Sequence, residues 1–196
     1  MANKLFFLLL CLLGLFISTY LGEAAQCATD KKSLCTAHCN GTSFELSKAF
    51  DFPIKITEPT PRGDDGSTFW YTWNPCHIEE CPGYSAGTDI AVCQKADHEF
   101  YSNCGEASQP IWLMDTTRPS AGETFPNWHV QYISGSFWRV TIIKFIVDHT
   151  VKEPTIKFIS EEPHLQYNFE VRGKCIGQDS YDCQQYYESR NKVKKQ

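Results

Sequence analysis

Apolar and polar positions divide this chain into strand-sized runs. Aromatic and β-branched residues concentrate in Phe44–Phe50, Thr68–Trp73, Asp89–Lys95, Pro110–Asp115, His129–Ser134, Phe137–Asp148, Thr155–Ser160 and Leu165–Arg172. Such side chains suit the pleated, half-buried surface of a sheet. Turn-forming clusters separate the runs: PTPRGDDGS, CPGYSAG and TTRPSAGETFPN. The short SGS of Ser134–Ser136 predicts a hairpin turn, with Gly135 supplying the unusual backbone angle. Short strands at even spacing predict an all-β fold, a sandwich or flattened barrel.

The run FWRVTIIKFIVD is apolar on both faces beyond Ile142, except at Lys144, and so predicts a central strand. Side chains alternate along a strand, so Arg139 shares a face with Thr141, Ile143, Phe145 and Val147. An arginine at a strand end ordinarily snorkels into water. On an apolar face at a strand mouth it also suits a pocket for a polar ligand.

The first residues have a different pattern. One lysine precedes an apolar run from Leu5 to about Tyr20, and small residues follow. This is the layout of a secretory signal peptide over residues 1–24, cleaved after Ala24 or Ala25. No later apolar run is long enough to span a bilayer. Cysteine usage agrees with export. Beyond Cys11, the chain keeps Cys27, Cys35, Cys39, Cys76, Cys81, Cys93, Cys104, Cys175 and Cys183. An oxidising compartment pairs most of them, and the odd count leaves one thiol free or bridged to a partner chain. Asn40-Gly-Thr is an acceptor site for N-glycosylation.

Length suits one domain with its own core. The net charge of −5 and the absence of a basic stripe argue against nucleic acid. Two polar, cysteine-bearing ends, residues 25–38 and 176–196, are expected to flank the domain, tied down by disulfides. Residues 184–196 are expected to form a short helix or remain loose.

Candidate chemistry narrows quickly. NPCHIEEC brings Cys76, His77 and Cys81 close in sequence, but it lacks the paired-cysteine spacing of a zinc site. Oxidised cysteines are the better reading, so no metal and no cofactor are expected. Six histidines occur without a nucleophile signature such as GxSxG. Glu161-Glu162 reads as an acidic turn and not as two carboxyls facing each other across a sugar. No catalytic residue is expected. Gln94, Arg139, Glu161 or Glu162, and Tyr167 stand at or near strand ends and offer a mixed set of donors and acceptors. Sugar hydroxyls need such a set, although composition alone does not select these residues.

The order and spacing of several pieces resemble a mannose-6-phosphate receptor homology domain, the P-type lectin family. The pieces are CNGTSFELSKAF, FWYTWNPC, AVCQ, QYISGSFWRVTIIKF and FISEEPHLQYNFEVRGKC, and together they span residues 39–175. The resemblance implies that Gln94, Arg139, Glu161 and Tyr167 contact the hydroxyls of a terminal mannose, with Glu162 the other candidate for the third place. It also implies disulfides Cys39–Cys76 and Cys81–Cys93. The chain departs from the family at Val147, Ser134 and Leu165, where members usually or often carry cysteines. Cys175 must therefore bond elsewhere, with Cys183, Cys27, Cys35 and Cys104 as candidates, or remain free. The loop from Tyr132 to Arg139 is short and lacks the carboxylate used by phosphate-recognising members.

The expectation is a soluble secreted lectin for mannose-bearing N-glycans, without catalysis, located outside the cell or in the lumen of the secretory or endolysosomal pathway. The alternative is an extracellular matrix or interaction protein that keeps the fold without sugar binding.

Overall fold

Residues Gln166–Gly173 alternate half-buried and buried at every step, as a strand with one face on the core must. They belong to a computed structural model that describes residues 24–30, 33–39, 41–57, 67–76, 81–84, 88–97, 100–108, 110–115, 128–133, 135–176 and 181–193. Apart from Ala24, the expected signal peptide lies outside the described residues, as does the glycosylation site Asn40.

The fold is all-β, built from three sheets and stapled by disulfides. In chain order the strands are β1 (Ala24–Gln26), β2 (Ala28–Asp30), β3 (Ser33–Cys39), β4 (Thr42–Glu45), β5 (Ile54–Thr57), β6 (Phe69–Trp73), β7 (Ile90–Ala96), β8 (Tyr101–Glu106), β9 (Ile111–Asp115), β10 (Trp128–Tyr132), β11 (Val140–Val147), β12 (Thr155–Glu161) and β13 (Gln166–Gly173). A six-stranded sheet runs β1-β9-β10-β11-β13-β12, a four-stranded sheet β5-β6-β7-β8, and a three-stranded sheet β2-β3-β4. β11 lies inside the large sheet, as its two-sided apolar pattern predicts. It pairs parallel with β13, while the other neighbours are antiparallel.

Aromatic side chains join the sheets. The Phe44 ring lies 5.3 Å from Trp112, 5.1 Å from Trp128 and 4.7 Å from Phe145. Tyr71, Trp73, Tyr132, Tyr167 and Phe169 share the same core. Full burial of one large apolar side chain stabilises by about 1.5–3 kcal/mol, so this aromatic group dominates the packing. β8 and β10 approach closely: a Cβ on Gly105 would collide with the Cβ of Tyr132.

Several sequence expectations change. Phe44–Phe50 is not one strand. It is β4 followed by a 3₁₀ turn at Leu46–Lys48, because Leu46 turns inward and is fully buried. Residues 25–38 do not flank the domain. β1 pairs with β9, and Cys27, Cys35 and Ala37 sit in the main core. The expected Cys39–Cys76 bond is replaced by Cys27–Cys39 and Cys35–Cys76. The reason is the β2–β3 hairpin. Its register sets Ala28 opposite His38, so Cys27 comes opposite Cys39. Cys35, four residues back on the same face, is left for Cys76. Cys81–Cys93 is present.

Cys175 bonds Cys183. That bond begins helix α1 (Tyr181–Val193), which docks through Tyr187 in a small cluster with Ala49, Cys175 and Cys183. Among the described residues no helix is long and apolar enough to cross a membrane.

The SGS turn also differs from expectation. Gly135 has φ −60°, an angle open to any residue. The left-handed angles fall on Phe137 (φ 56°) and Trp138 (φ 62°), inside a 3₁₀ turn at Ser136–Trp138. Each such non-glycine residue costs about 1–2 kcal/mol. Glycine is required at 135 for space: a Cβ there would lie 2.7 Å from the carbonyl oxygen of Asn103 and 2.9 Å from Cβ of Arg139.

Candidate functional site

Strand register gathers the polar residues. On the four-stranded sheet, β6 and β7 set Tyr71 opposite Gln94. Both side chains are buried, and Gln94 Nε2 donates to Tyr71 Oη at 3.0 Å. That bond engages one amide donor. The amide oxygen and the second N–H are the groups Gln94 can offer a ligand.

Tyr71 links to the large sheet through aromatic contact. Its ring lies 5.6 Å from that of Tyr167 and stacks on Phe158 at 5.6 Å. In the large sheet, β13 carries Tyr167 between Thr141 of β11 and Glu161 of β12, directly in register with both.

Arg139 stands one residue before β11, at the end of the 3₁₀ turn. Nε donates to Tyr167 Oη at 3.0 Å, and Nη1 donates to the carbonyl oxygen of Ser136 at 3.0 Å. The guanidinium also lies over the Phe137 ring, 5.6 Å from its centre. Its Nη2 donors point to no acceptor among the described residues and suit a polar ligand. Half-buried Arg139 is therefore oriented by two hydrogen bonds and a ring contact, which fixes its planar fork.

Glu161 is largely buried, its side chain 13% exposed. Oε1 accepts from the Leu165 backbone N–H at 3.0 Å and lies 3.4 Å from His164 Nδ1. Glu162 is exposed. The carboxylate of Glu161 thereby holds the β12–β13 turn in shape beside Tyr167.

Gln94, Arg139, Glu161 and Tyr167 thus form a chain of neighbours with Tyr71 as the link. Tyr71 escapes a reading of the sequence because its role depends on the β6–β7 register. Ser136 escapes it for a similar reason. Its hydroxyl lies 3.1 Å from the Asn103 carbonyl and 2.8 Å from Tyr84 Oη, contacts that exist only once the loops are folded.

The cluster is closely packed. Gln94 is 5% exposed and Tyr167 1% exposed. An open depression of about 330 Å³ lies on the same sheet, lined by Lys55, Trp70, Tyr71, Thr72, Lys95 and Tyr101 among others. On β6 and β7, Trp70, Thr72 and Lys95 alternate with Tyr71 and Gln94 and so face the opposite side.

Among the described residues Cys104 is the cysteine outside a disulfide, and it is fully buried. A bridge from this thiol to a partner chain would require the core to open. Of the zinc candidates, Cys76 and Cys81 are held in disulfides, and His77 lies outside the described residues. The described residues contain no group of three or more His, Cys, Asp or Glu arranged to hold a metal ion.

No family model matches the chain, and no curated protein does. Among solved structures, the chain is similar to domain 11 of the echidna mannose-6-phosphate/IGF2R receptor, with a TM-score of 0.47 and 10% sequence identity, covering 79% of this chain and 95% of that one. It is also similar to chicken IGF2R domain 11, with a TM-score of 0.45 and 14% identity, covering 79% of this chain and 92% of that one.

Proposed function

We propose that this protein is a lectin-like binding protein of the secretory route, without catalysis, that takes a terminal mannose of N-glycans at Gln94, Arg139, Glu161 and Tyr167. The observation that supports it is the linkage of these four residues, drawn from separate strands and loops, into one polar cluster. An amide, a guanidinium, a carboxylate and a phenol supply the mixed donors and acceptors that a pyranose demands. Arg139 and Glu161 are the members nearest solvent, and their fixed orientation lowers the entropy lost on binding. Glu161 is the better third member, since it stands in register with Tyr167 while Glu162 is exposed. N-glycosylation at Asn40 and removal of residues 1–24 belong to the same proposal.

The burial of Gln94 and Tyr167 favours a second reading. In it, the cluster is a structural hydrogen-bond network, and the protein is an extracellular interaction module that keeps the fold without a sugar.

A glycan array separates the two. The protein, displayed multivalently, is expected to bind glycans with terminal mannose and to ignore those capped by galactose or sialic acid. Well-folded protein that binds no mannose-bearing glycan rejects the lectin reading.

A further inference from the structure

Phe137 and Trp138 occupy an unusual position. They are large aromatic residues, 75% and 90% exposed, in adjacent left-handed backbone conformations. Burial does not offset the strain of that turn. The turn is nevertheless built firmly. Gly135 N donates to the Arg139 carbonyl at 3.1 Å, and Arg139 N donates back to the Ser136 carbonyl at 3.3 Å. Ser136 Oγ donates to the Asn103 carbonyl at 3.1 Å and meets Tyr84 Oη at 2.8 Å. A strained turn pinned at its base and aromatic at its tip is a preorganised surface for something outside the chain.

We infer that Phe137 and Trp138 form a stacking platform for the sugar that follows the terminal mannose, an inference that rests on the lectin reading above. Continuity carries the assignment. The Arg139 guanidinium lies 5.6 Å from the Phe137 ring centre, and the same guanidinium belongs to the proposed mannose contact set. A glycan anchored at Arg139 would lie beside this turn. A pyranose has an apolar face of C–H groups, and an aromatic ring is its natural partner. Two side chains are too small a patch for the core of a stable protein interface. An anionic bilayer fits poorly, since Glu161 and exposed Glu162 flank the same cluster and the chain carries a net charge of −5.

The test compares wild type with Trp138→Ala and Phe137→Ala by titration calorimetry, using methyl α-mannoside and an oligomannose glycan. Trp138 is exposed, so its replacement leaves the core intact. The platform predicts that wild type binds the oligomannose more tightly than the monosaccharide. Each variant loses roughly three- to tenfold in oligomannose affinity; Trp138→Ala keeps wild-type affinity for the monosaccharide, whereas Phe137→Ala, which also removes the ring beside Arg139, weakens both ligands. Trp138→Ala binding both ligands like wild type overturns the platform and leaves the lectin reading standing. Wild type binding neither ligand overturns the lectin reading and the platform with it. Association of wild type with phosphatidylcholine vesicles, lost in Trp138→Ala while both sugar affinities stay put, assigns the turn to a membrane and also overturns the platform.

Discussion

Arg139 and Tyr167 lie 28 positions apart, yet Arg139 Nε donates to Tyr167 Oη at 3.0 Å. The parallel pairing of β11 with β13 makes this possible. It sets Thr141 beside Tyr167, and Arg139 sits just ahead of that register at the strand mouth. The bond joins the turn that carries Arg139 to the buried face that carries Tyr167. The orientation of the proposed site therefore depends on the large sheet being intact.

Replacing Arg139 by lysine tests that dependence. Lysine keeps the charge but lacks the planar fork, so it cannot serve Tyr167 and Ser136 together. Loss of one net hydrogen bond is expected to lower stability by about 1 kcal/mol, while circular dichroism stays unchanged. On a mannose-bearing glycan array the variant is expected to be silent. A variant that binds like wild type shows that Arg139 holds the turn and touches no sugar.

Gly135→Ala attacks the same turn from below. The new Cβ meets backbone oxygen of Asn103 at 2.7 Å and of Arg139 at 2.9 Å. Neither is a flexible side-chain tip, so the turn must shift. The overpacking is expected to cost about 1–3 kcal/mol in urea unfolding. It should also weaken glycan binding, because Arg139 moves with the turn. An unchanged unfolding midpoint refutes the close packing at this position.

Gly135 also shows where a sequence is legible and where it is not. Its place in a turn can be read from SGS, but its reason cannot. A Cβ is blocked by Asn103, on a strand of another sheet, as well as by Arg139. Apolarity on both faces is enough to place β11 centrally, and alternation gives Arg139 and Thr141 a common side, since both patterns are local information. The β2–β3 hairpin is hidden because CATDKKSLCTAHC is polar and cysteine-rich. Its strands are held by cross-strand disulfide and edge pairing and not by a strong apolar pattern. The same gap misassigns Cys39. β8 escapes notice because YSNCGE carries small and polar residues that are buried only by their neighbours. Among the site residues, Gln94, Arg139, Glu161 and Tyr167 are named through family resemblance. Tyr71, which links them, needs the register.

Tyr132 predicts an alkaline limit to stability. Burial pushes its phenol well above the ordinary tyrosine range, and the bond donated by Trp73 Nε1 at 3.4 Å opposes that only in part. With the folded value raised, the contribution of Tyr132 is intact below the unfolded value of about 10 and is lost as pH rises beyond it. Tyr132→Phe removes this proton linkage. It also leaves the buried Trp73 N–H without its acceptor, at a cost of about 1–3 kcal/mol near neutral pH. Urea unfolding at pH 8 and near pH 11 is the measurement. The stability gap between wild type and variant should narrow at the higher pH. A gap that stays constant rules out Tyr132 as the alkaline-sensitive group.

The two end disulfides should fail in different ways. Cys35–Cys76 closes a sequence separation of 41 and has Cys35 in the main core beside the aromatic cluster. Cys175–Cys183 closes a separation of 8 and belongs to a separate cluster with Ala49 and Tyr187. In the chain-entropy model the longer loop contributes about 4 kcal/mol and the shorter about 2.5 kcal/mol. Packing enlarges the contrast, because opening the first disturbs the core shared by the sheets, whereas opening the second frees α1 alone. The double variant Cys175→Ser/Cys183→Ser is therefore expected to keep the near-ultraviolet signal of the buried tryptophans while its helical signal falls. Its urea midpoint should drop only modestly. Cys35→Ser/Cys76→Ser is expected to lose the near-ultraviolet signal and most of its stability at 37 °C. If the 175/183 variant unfolds globally instead, α1 is part of the cooperative core, and the separate character of its small cluster is wrong.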